Sequence, residues 1–236
     1  MDPVEAGSER VERVRLAPER RRQALIETAL TMFAATPYAA VSVDELAREA
    51  GMSRPLLYHY FGSKLGVFLA ALEHAADLLV AAVAAAAAEA PDGDWLTGGI
   101  RAYLDHVRVE ATGYGALFDH GAGTASAEAA EGGAHGEAIL DRMRARLLDL
   151  LLSGLRVPGD VPPLLRTVLA GWIDMVAVVA RDGLRDGLVP VEVLVAVLRD
   201  LFGQAVRTAA QHDPASAAAL RQARGLAGTE LETGGR

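Results

Sequence analysis

The chain has 236 residues, 51% of them apolar, no cysteine and a net charge of −8. That length can bury one large core or two modest ones. The missing cysteine excludes disulfides, thiolate catalysis and cysteine-held metal. An acidic total argues against nucleic acid as a partner, but the charge is unevenly spread. Residues 10–64 carry nine Arg or Lys against six Asp or Glu, while residues 65–236 carry fourteen against twenty-two. A mildly basic head on an acidic body fits binding through one end only. The only lysine is Lys64. It is either a survivor of an arginine-biased genome or a need for a compact ammonium against a phosphate.

Residues 1–17 mix acid and base without an apolar period, and predict a flexible or frayed helical extension. Arg10, Arg13, Arg15 and Arg20 to Arg22 could form an arm along DNA, although interleaved glutamates favour a merely solvated segment. The first twenty residues lack the apolar core of a signal peptide, so the expectation is a soluble cytoplasmic protein. Residues 20–41 predict a helix, with Ile26, Ala29, Leu30 and Phe33 on one face, and a short loop. Ser42 and Glu45 have the spacing of a capping box. Val43, Leu46 and Ala47 give the helix they start an apolar face, and Gly51 suits its end. Ser53 is placed to cap a second helix, with Leu57 and Tyr60 spaced to pack inward. Two short helices around a glycine turn make a helix-turn-helix, whose second helix enters the DNA major groove.

The run Leu57-Tyr58-His59-Tyr60-Phe61-Gly62-Ser63-Lys64 resembles the end of the recognition helix in the TetR family of transcriptional regulators, and the resemblance covers residues 18–72. Two positions depart from the family pattern. Thr36-Pro37 precede Tyr38 where glycine is usual, and Leu65 follows the lysine where an acid is usual. The resemblance implies an all-α fold with a DNA-binding head at 18–63 and a ligand-binding, dimerising body at 64–210. It implies a homodimer on a palindromic operator, a small-molecule effector, repression as the usual direction, and no cofactor. Ser53, Arg54, Pro55, Tyr58 and His59 fall near the exposed side of the second helix. Arg54 can make a bidentate bond to guanine, and Pro55 in the first turn can touch a thymine methyl. Tyr58, His59 and Lys64 look like the family's phosphate contacts, which position the helix without reading sequence. Ser42 is expected to cap and to touch phosphate, with Thr36 and Arg48 as weaker candidates. Tyr60 and Phe61 are expected in the three-helix core.

Past Ser63, a natural cap, the pattern predicts one helix to about residue 90. Leu65, Phe68, Leu69 and Leu72, then Leu78, Leu79 and Val83, form its stripe. Its most apolar part, 78–90, is too short and alanine-rich to span a bilayer. After the break at 91–94, Ile100, Tyr103, Leu104 and Val107 mark a helix over 95–111. Residues 112–137 predict a short helix over 114–119 and a flexible stretch over 121–136, a possible mobile entrance to a ligand site. The next helix turns Ile139, Leu140, Met143, Leu147, Leu148 and Leu151 inward. Helices over 163–185 and 190–209 are apolar round most of their circumference and need cover on more than one side. The family would supply it by pairing these helices with their copies. Residues 211–236 read as a flexible tail.

Trp95, Tyr103, His106, Tyr114, Phe118, His120, Trp172 and Met175 are the unusual side chains of an otherwise aliphatic body. As a set they point to a cavity for a mainly hydrophobic effector, although each alone fits simple core filling. Asp174 needs a partner if buried. An enzyme is disfavoured. The six histidines show no H-x-x-x-H spacing, and neither G-x-S-x-G nor a phosphate loop is present. The stronger rival is a helix-turn-helix dimer with no small ligand, regulated by a protein partner or acting as an activator. A cavity lined by Tyr103, Tyr114 and Trp172 would separate the two.

Overall fold

The structure, a computed structural model of the whole chain, describes residues 3–90, 94–110, 127–157, 159–184 and 189–233, with side chains for 18–90, 94–108, 132–157, 159–184 and 189–223. Among the described residues every regular element is a helix. They are α1 Pro3–Ala35, α2 Val43–Glu49, α3 Arg54–Phe61, α4 Lys64–Ala88, α5 Trp95–Glu110, α6 Ala127–Leu155, α7 Pro163–Leu184, α8 Val191–His212 and α9 Pro214–Thr233. The all-α class read from the periodicity is therefore the class observed. The chain divides into two compact units, Met1–Ala75 with Thr112–Glu137, and Ala76–Ala111 with Ala138–Arg236.

In the first unit, α1 buries Leu25, Ile26, Ala29, Leu30 and Phe33, α2 buries Leu46 and Ala47, and α3 buries Leu57. The start of α4 adds Val67, Phe68, Ala71 and Leu72. The capping box is complete: Ser42 Oγ accepts from Glu45 N at 3.0 Å, and Ser42 N donates to Glu45 Oε2 at 3.2 Å. Gly51 and Gly62 end α2 and α3 with φ of +64° and +71°, a region glycine enters without steric cost. Ser63 Oγ accepts from Gly66 N at 2.9 Å and caps α4 as expected. Ser53 differs, for its side chain makes no capping bond; Pro55 has no N–H to offer it.

Three segments expected to be flexible or frayed are helical over much of their length. The extension at 1–17 takes its helical form, since α1 starts at Pro3; Glu, Arg and Leu are good helix formers. The stretch at 121–136, expected to be flexible, is helical from Ala127 onward. Gly132 allows a close approach, since a β-carbon there would lie 2.8 Å from Leu65. This also accounts for Leu65, the apolar residue in a usually acidic place. The tail at 211–236 contains α9, with Ser216, Ala219, Leu220 and Ala223 buried. Asp213 accepts from the backbone N–H of Ala215 and Ser216, and Pro214 fits the first helical position. The expected short helix over 114–119 lies outside the described residues.

In the second unit α7 and α8 pack along their length. Leu165, Leu169, Trp172, Ile173, Val176 and Ala180 meet Val191, Leu194, Val195, Leu198 and Phe202 as the buried faces of the two helices. Each also keeps an exposed apolar stripe, Leu164 and Val178 on α7 and Val193, Val197 and Leu201 on α8. The inward stripe of α4 is Val67, Phe68, Ala71, Leu72, Ala75, Ala76, Leu79 and Val80, and Leu78 is exposed. The 78–90 length argument against a membrane span is overtaken, because α4 and α7, of 25 and 22 residues, are long and apolar enough to cross one. Both have an apolar face buried within the protein, which core helices of soluble proteins also show.

Candidate nucleic-acid interface and apolar cavity

The capped α2 and the turn at Gly51 hold α3 so that Leu57 faces the core. That choice sends Ser53, Arg54, Pro55, Tyr58 and His59 to the surface together, and all five are exposed. Ser42 is exposed beside them in sequence space, at the cap of α2. Four of these exposed side chains lie on α3 and Ser53 stands at its N-cap. Tyr60 and Phe61 are only half-buried, short of the core position expected for them. Phe61 has the Arg22 guanidinium 5.2 Å above its ring, and Tyr60 lies edge-on to it.

Two cations on this face are already engaged within the protein. Arg54 Nη1 lies 3.3 Å from both carboxylate oxygens of Asp44, and its Cζ sits 5.7 Å over the Tyr58 ring. Tyr58 foremost, then the Asp44 charge, holds the guanidinium pKa above its ordinary value. Lys64 Nζ lies 4.3 Å over the Tyr38 ring. Tyr38 in turn stacks on Phe33 and meets Phe68 edge-on at 5.2 Å. Partial burial pulls the Lys64 ammonium below the usual lysine value. Sequence spacing gave no sign of Asp44, ten residues before Arg54, or of Tyr38 under Lys64, because both contacts join different elements. Thr36 is half-buried, and Arg48 is exposed and paired with Glu49.

The body holds an apolar cavity of about 270 Å³. Its walls are small residues of α4 and aromatic and aliphatic ones of α5, α6 and α7. Ala84, Ala87, Ala88, Gly99 and Gly154 leave the room, and Trp95, Tyr103 and Trp172 stand around it. Gly154 is needed, since a β-carbon there would lie 2.6 Å from the Trp95 ring. Trp172 donates Nε1–H to Leu198 O at 3.1 Å and meets Phe202 edge-on at 5.1 Å. Phe202 also meets Trp95 edge-on at 6.2 Å. Burial pushes the Tyr103 phenol up to about 12, with Arg144 pulling the other way. Its hydroxyl is therefore a protonated donor at neutral pH. Among the described residues no charged side chain lines the cavity.

Three of the eight side chains expected around a cavity thus come together: Trp95, Tyr103 and Trp172. His106 and Met175 are not in the lining. The α5 wall is Trp95, Leu96, Gly99, Ile100 and Tyr103, and His106 lies nearly a turn beyond its end. On α7 the wall is Trp172, Ile173 and Val176, and Met175 sits about 100° round the helix from that face. Tyr114, Phe118 and His120 lie outside the described residues. Asp174 is exposed and meets Arg144 of its own chain at 3.0 Å, so it needs no partner from elsewhere. Phe202, and the small residues opposite the indoles, escaped sequence reading; Phe202 was read only as part of an apolar helix.

A family model described as bacterial regulatory proteins, tetR family, matches residues 25–71, which hold α2, α3 and the flanking parts of α1 and α4. The chain is similar to the HTH-type transcriptional activator FasR of Mycolicibacterium smegmatis, 35% identical over 107 residues, which are 45% of this chain and 49% of that protein. It is similar to the HTH-type transcriptional regulator EthR of Mycobacterium tuberculosis, 38% identical over 82 residues, 33% of this chain and 38% of that protein. The matches span about half or less of these relatives' length. A solved tetR-family transcriptional regulator from Streptomyces coelicolor is 29% identical, superimposes with a TM-score of 0.70, and is matched over 92% of this chain and 99% of its own.

Proposed function

We propose that this chain, whose residues 25–71 match the tetR family model and whose fold is that of a solved tetR-family regulator, is a ligand-responsive transcriptional regulator of that family, acting as a homodimer on a palindromic operator. The observation that carries the reading is the exposed row Ser53, Arg54, Pro55, Tyr58 and His59 on α3, with Ser42 and Lys64 flanking it. Arg54 reads a base, and Tyr58, His59, Lys64 and Ser42 meet phosphates. In this reading residues 18–63 are the DNA-binding domain and 64–210 the effector and dimerisation domain. The protein is soluble and cytoplasmic, and it is not an enzyme, as its relatives are regulators.

The apolar stripes on α7 and α8 support a two-fold dimer through these helices, since each leaves valine and leucine exposed on the side away from its partner. The cavity supports a small, mainly hydrophobic effector. At about 270 Å³ it is near the lower end of ligand sites, and Tyr103 supplies a hydrogen bond. The effector acts by binding the DNA-bound and released conformations with different affinity, so that the heads leave the half-site spacing and repression is lifted. A second reading, activation, is favoured by the likeness to FasR, a transcriptional activator. The rival in which only a protein partner regulates the dimer is disfavoured by the cavity.

The test is selection from random duplex DNA with the full chain, followed by transcription in vitro from a promoter bearing the selected site. Enrichment of an inverted repeat with half-sites about one helical turn apart is expected. No enriched site would overturn the reading. The transcription assay separates repression from activation.

A further inference from the structure

Arg54 is the one base-reading cation on α3, and the structure does not leave it to find its partner alone. The Asp44 carboxylate approaches Nη1 from α2, with both oxygens at 3.3 Å. The Tyr58 ring supports the guanidinium on another side, 5.7 Å from Cζ. A long arginine loses much rotamer freedom when it is fixed against a base. Two supports from the protein remove part of that freedom before DNA arrives. The pair uses Nη1 only, so the planar fork keeps donors for a two-bond contact with guanine O6 and N7. Asp44 is a strange residue for a DNA face otherwise, since a carboxylate near phosphates weakens binding to any duplex. Its charge is tolerable if it contributes to choice among sequences, which is a difference of affinities and gains from weaker wrong binding.

We propose that Asp44 is a specificity-determining positioning residue, whose carboxylate sets the Arg54 guanidinium for one guanine in each half-site without itself touching a base. This rests on the operator-binding reading above. The geometry makes a selective demand. Asp44 and Arg54 are both exposed, so their ion pair adds little to folding, and its removal should appear in base preference and not in stability. Asn keeps the shape and removes the charge. Glu keeps the charge on a longer arm.

The experiment compares the full-length protein with Asp44→Asn, Asp44→Glu, Arg54→Ala and the Asn/Ala double variant. Each is put through selection from random duplexes, then titrated on the selected site and on copies with that guanine replaced. Expected is a loss on the order of tenfold in guanine preference for Asp44→Asn, with tighter binding to random DNA and an unchanged melting temperature. Asp44→Glu restores most of the preference. In the Arg54→Ala background the Asp44→Asn change moves preference no further. The inference is overturned if Asp44→Asn keeps the wild-type preference, or weakens all duplexes equally along with the fold. It is also overturned, with the functional reading left standing, if a site is selected but Arg54→Ala does not alter it. A wild-type protein that selects no site overturns both.

Discussion

Replacing Trp172 by Phe tests how the apolar cavity is attached to the α7–α8 pair. Trp172 is 6% exposed, gives its indole N–H to Leu198 O at 3.1 Å, and meets Phe202 edge-on. Phenylalanine keeps the ring pair and loses the hydrogen bond. Leu198 lies inside α8, so its carbonyl keeps a helical partner, and the loss is near the low end, about 1 kcal/mol. The missing ring atoms enlarge the space beside the cavity, which adds on the order of 1 kcal/mol at roughly 24 cal/mol per Å³. A total of about 2 kcal/mol lowers the melting temperature by roughly 4–8 °C for a chain of this size. Truncation to alanine would cost roughly 3–5 kcal/mol, a large part of a whole domain's stability of roughly 5–15 kcal/mol, so phenylalanine is the cleaner variant. The assay is thermal unfolding at one fixed protein concentration, because dimer stability depends on concentration. A melting temperature unchanged within a degree would refute the indole's role as a tie to α8. A loss as large as that of alanine would refute retention of the Phe202 contact.

Val197→Asp, on a side chain 44% exposed, should leave the monomer folded and shift sedimentation toward monomer, with tight operator binding lost; a stable dimer would exclude α8 from the interface. Lys64→Ala should weaken binding to all duplexes alike and reduce the salt slope by about 0.9; an unchanged slope would leave Lys64 only as the cover of Tyr38. Ser42→Ala removes half of the capping box and should cost about 1 kcal/mol in denaturant unfolding. Tyr103 has its folded pKa raised to about 12 from an ordinary 10. The folded state therefore holds its proton more firmly, and the Tyr103 contribution to stability should be constant below pH 10 and be lost from there toward 12. Tyr103→Phe should flatten that fall, and an equal fall in both proteins would place the alkaline weakness elsewhere.

The head was legible because its signals are local. Ser42 and Glu45 are three apart, Gly51 and Gly62 sit where the backbone needs positive φ, and Leu57 alone decides which side of α3 faces out. The cavity was half legible. Trp95, Tyr103 and Trp172 stood out as rare types, but a cavity is made equally by what is missing, and Ala84, Ala87 and Gly154 look like ordinary helix filling in a line of letters. His106 was misplaced because sharing a face with Tyr103 does not place a residue at the same height along the helix. The tail was misread for a related reason. Its alanine, glycine and charge suggested mobility, whereas Asp213-Pro214 followed by Ser216 is a helix start, and α9 buries Ala219, Leu220 and Ala223. Asp44 and Tyr38 show the limit most plainly, since a contact between separate elements has no period to reveal it.

The alanine and glycine side of the cavity has a consequence for how its chemical taste could change over generations. At Ala84, Ala87 and Ala88 the helix already forms with a single methyl on each residue, and any larger aliphatic group would be spent on filling space, with the backbone left as it is. On the proposed reading, each such step would trim the compound that fits by a methyl or two, without touching the aromatic tie to α8 or the α3 surface. Gly154 is the exception, because growth there collides with the Trp95 ring. A lineage, or a laboratory seeking a sensor for a new molecule, would thus find one wall that can be recut freely and one that cannot.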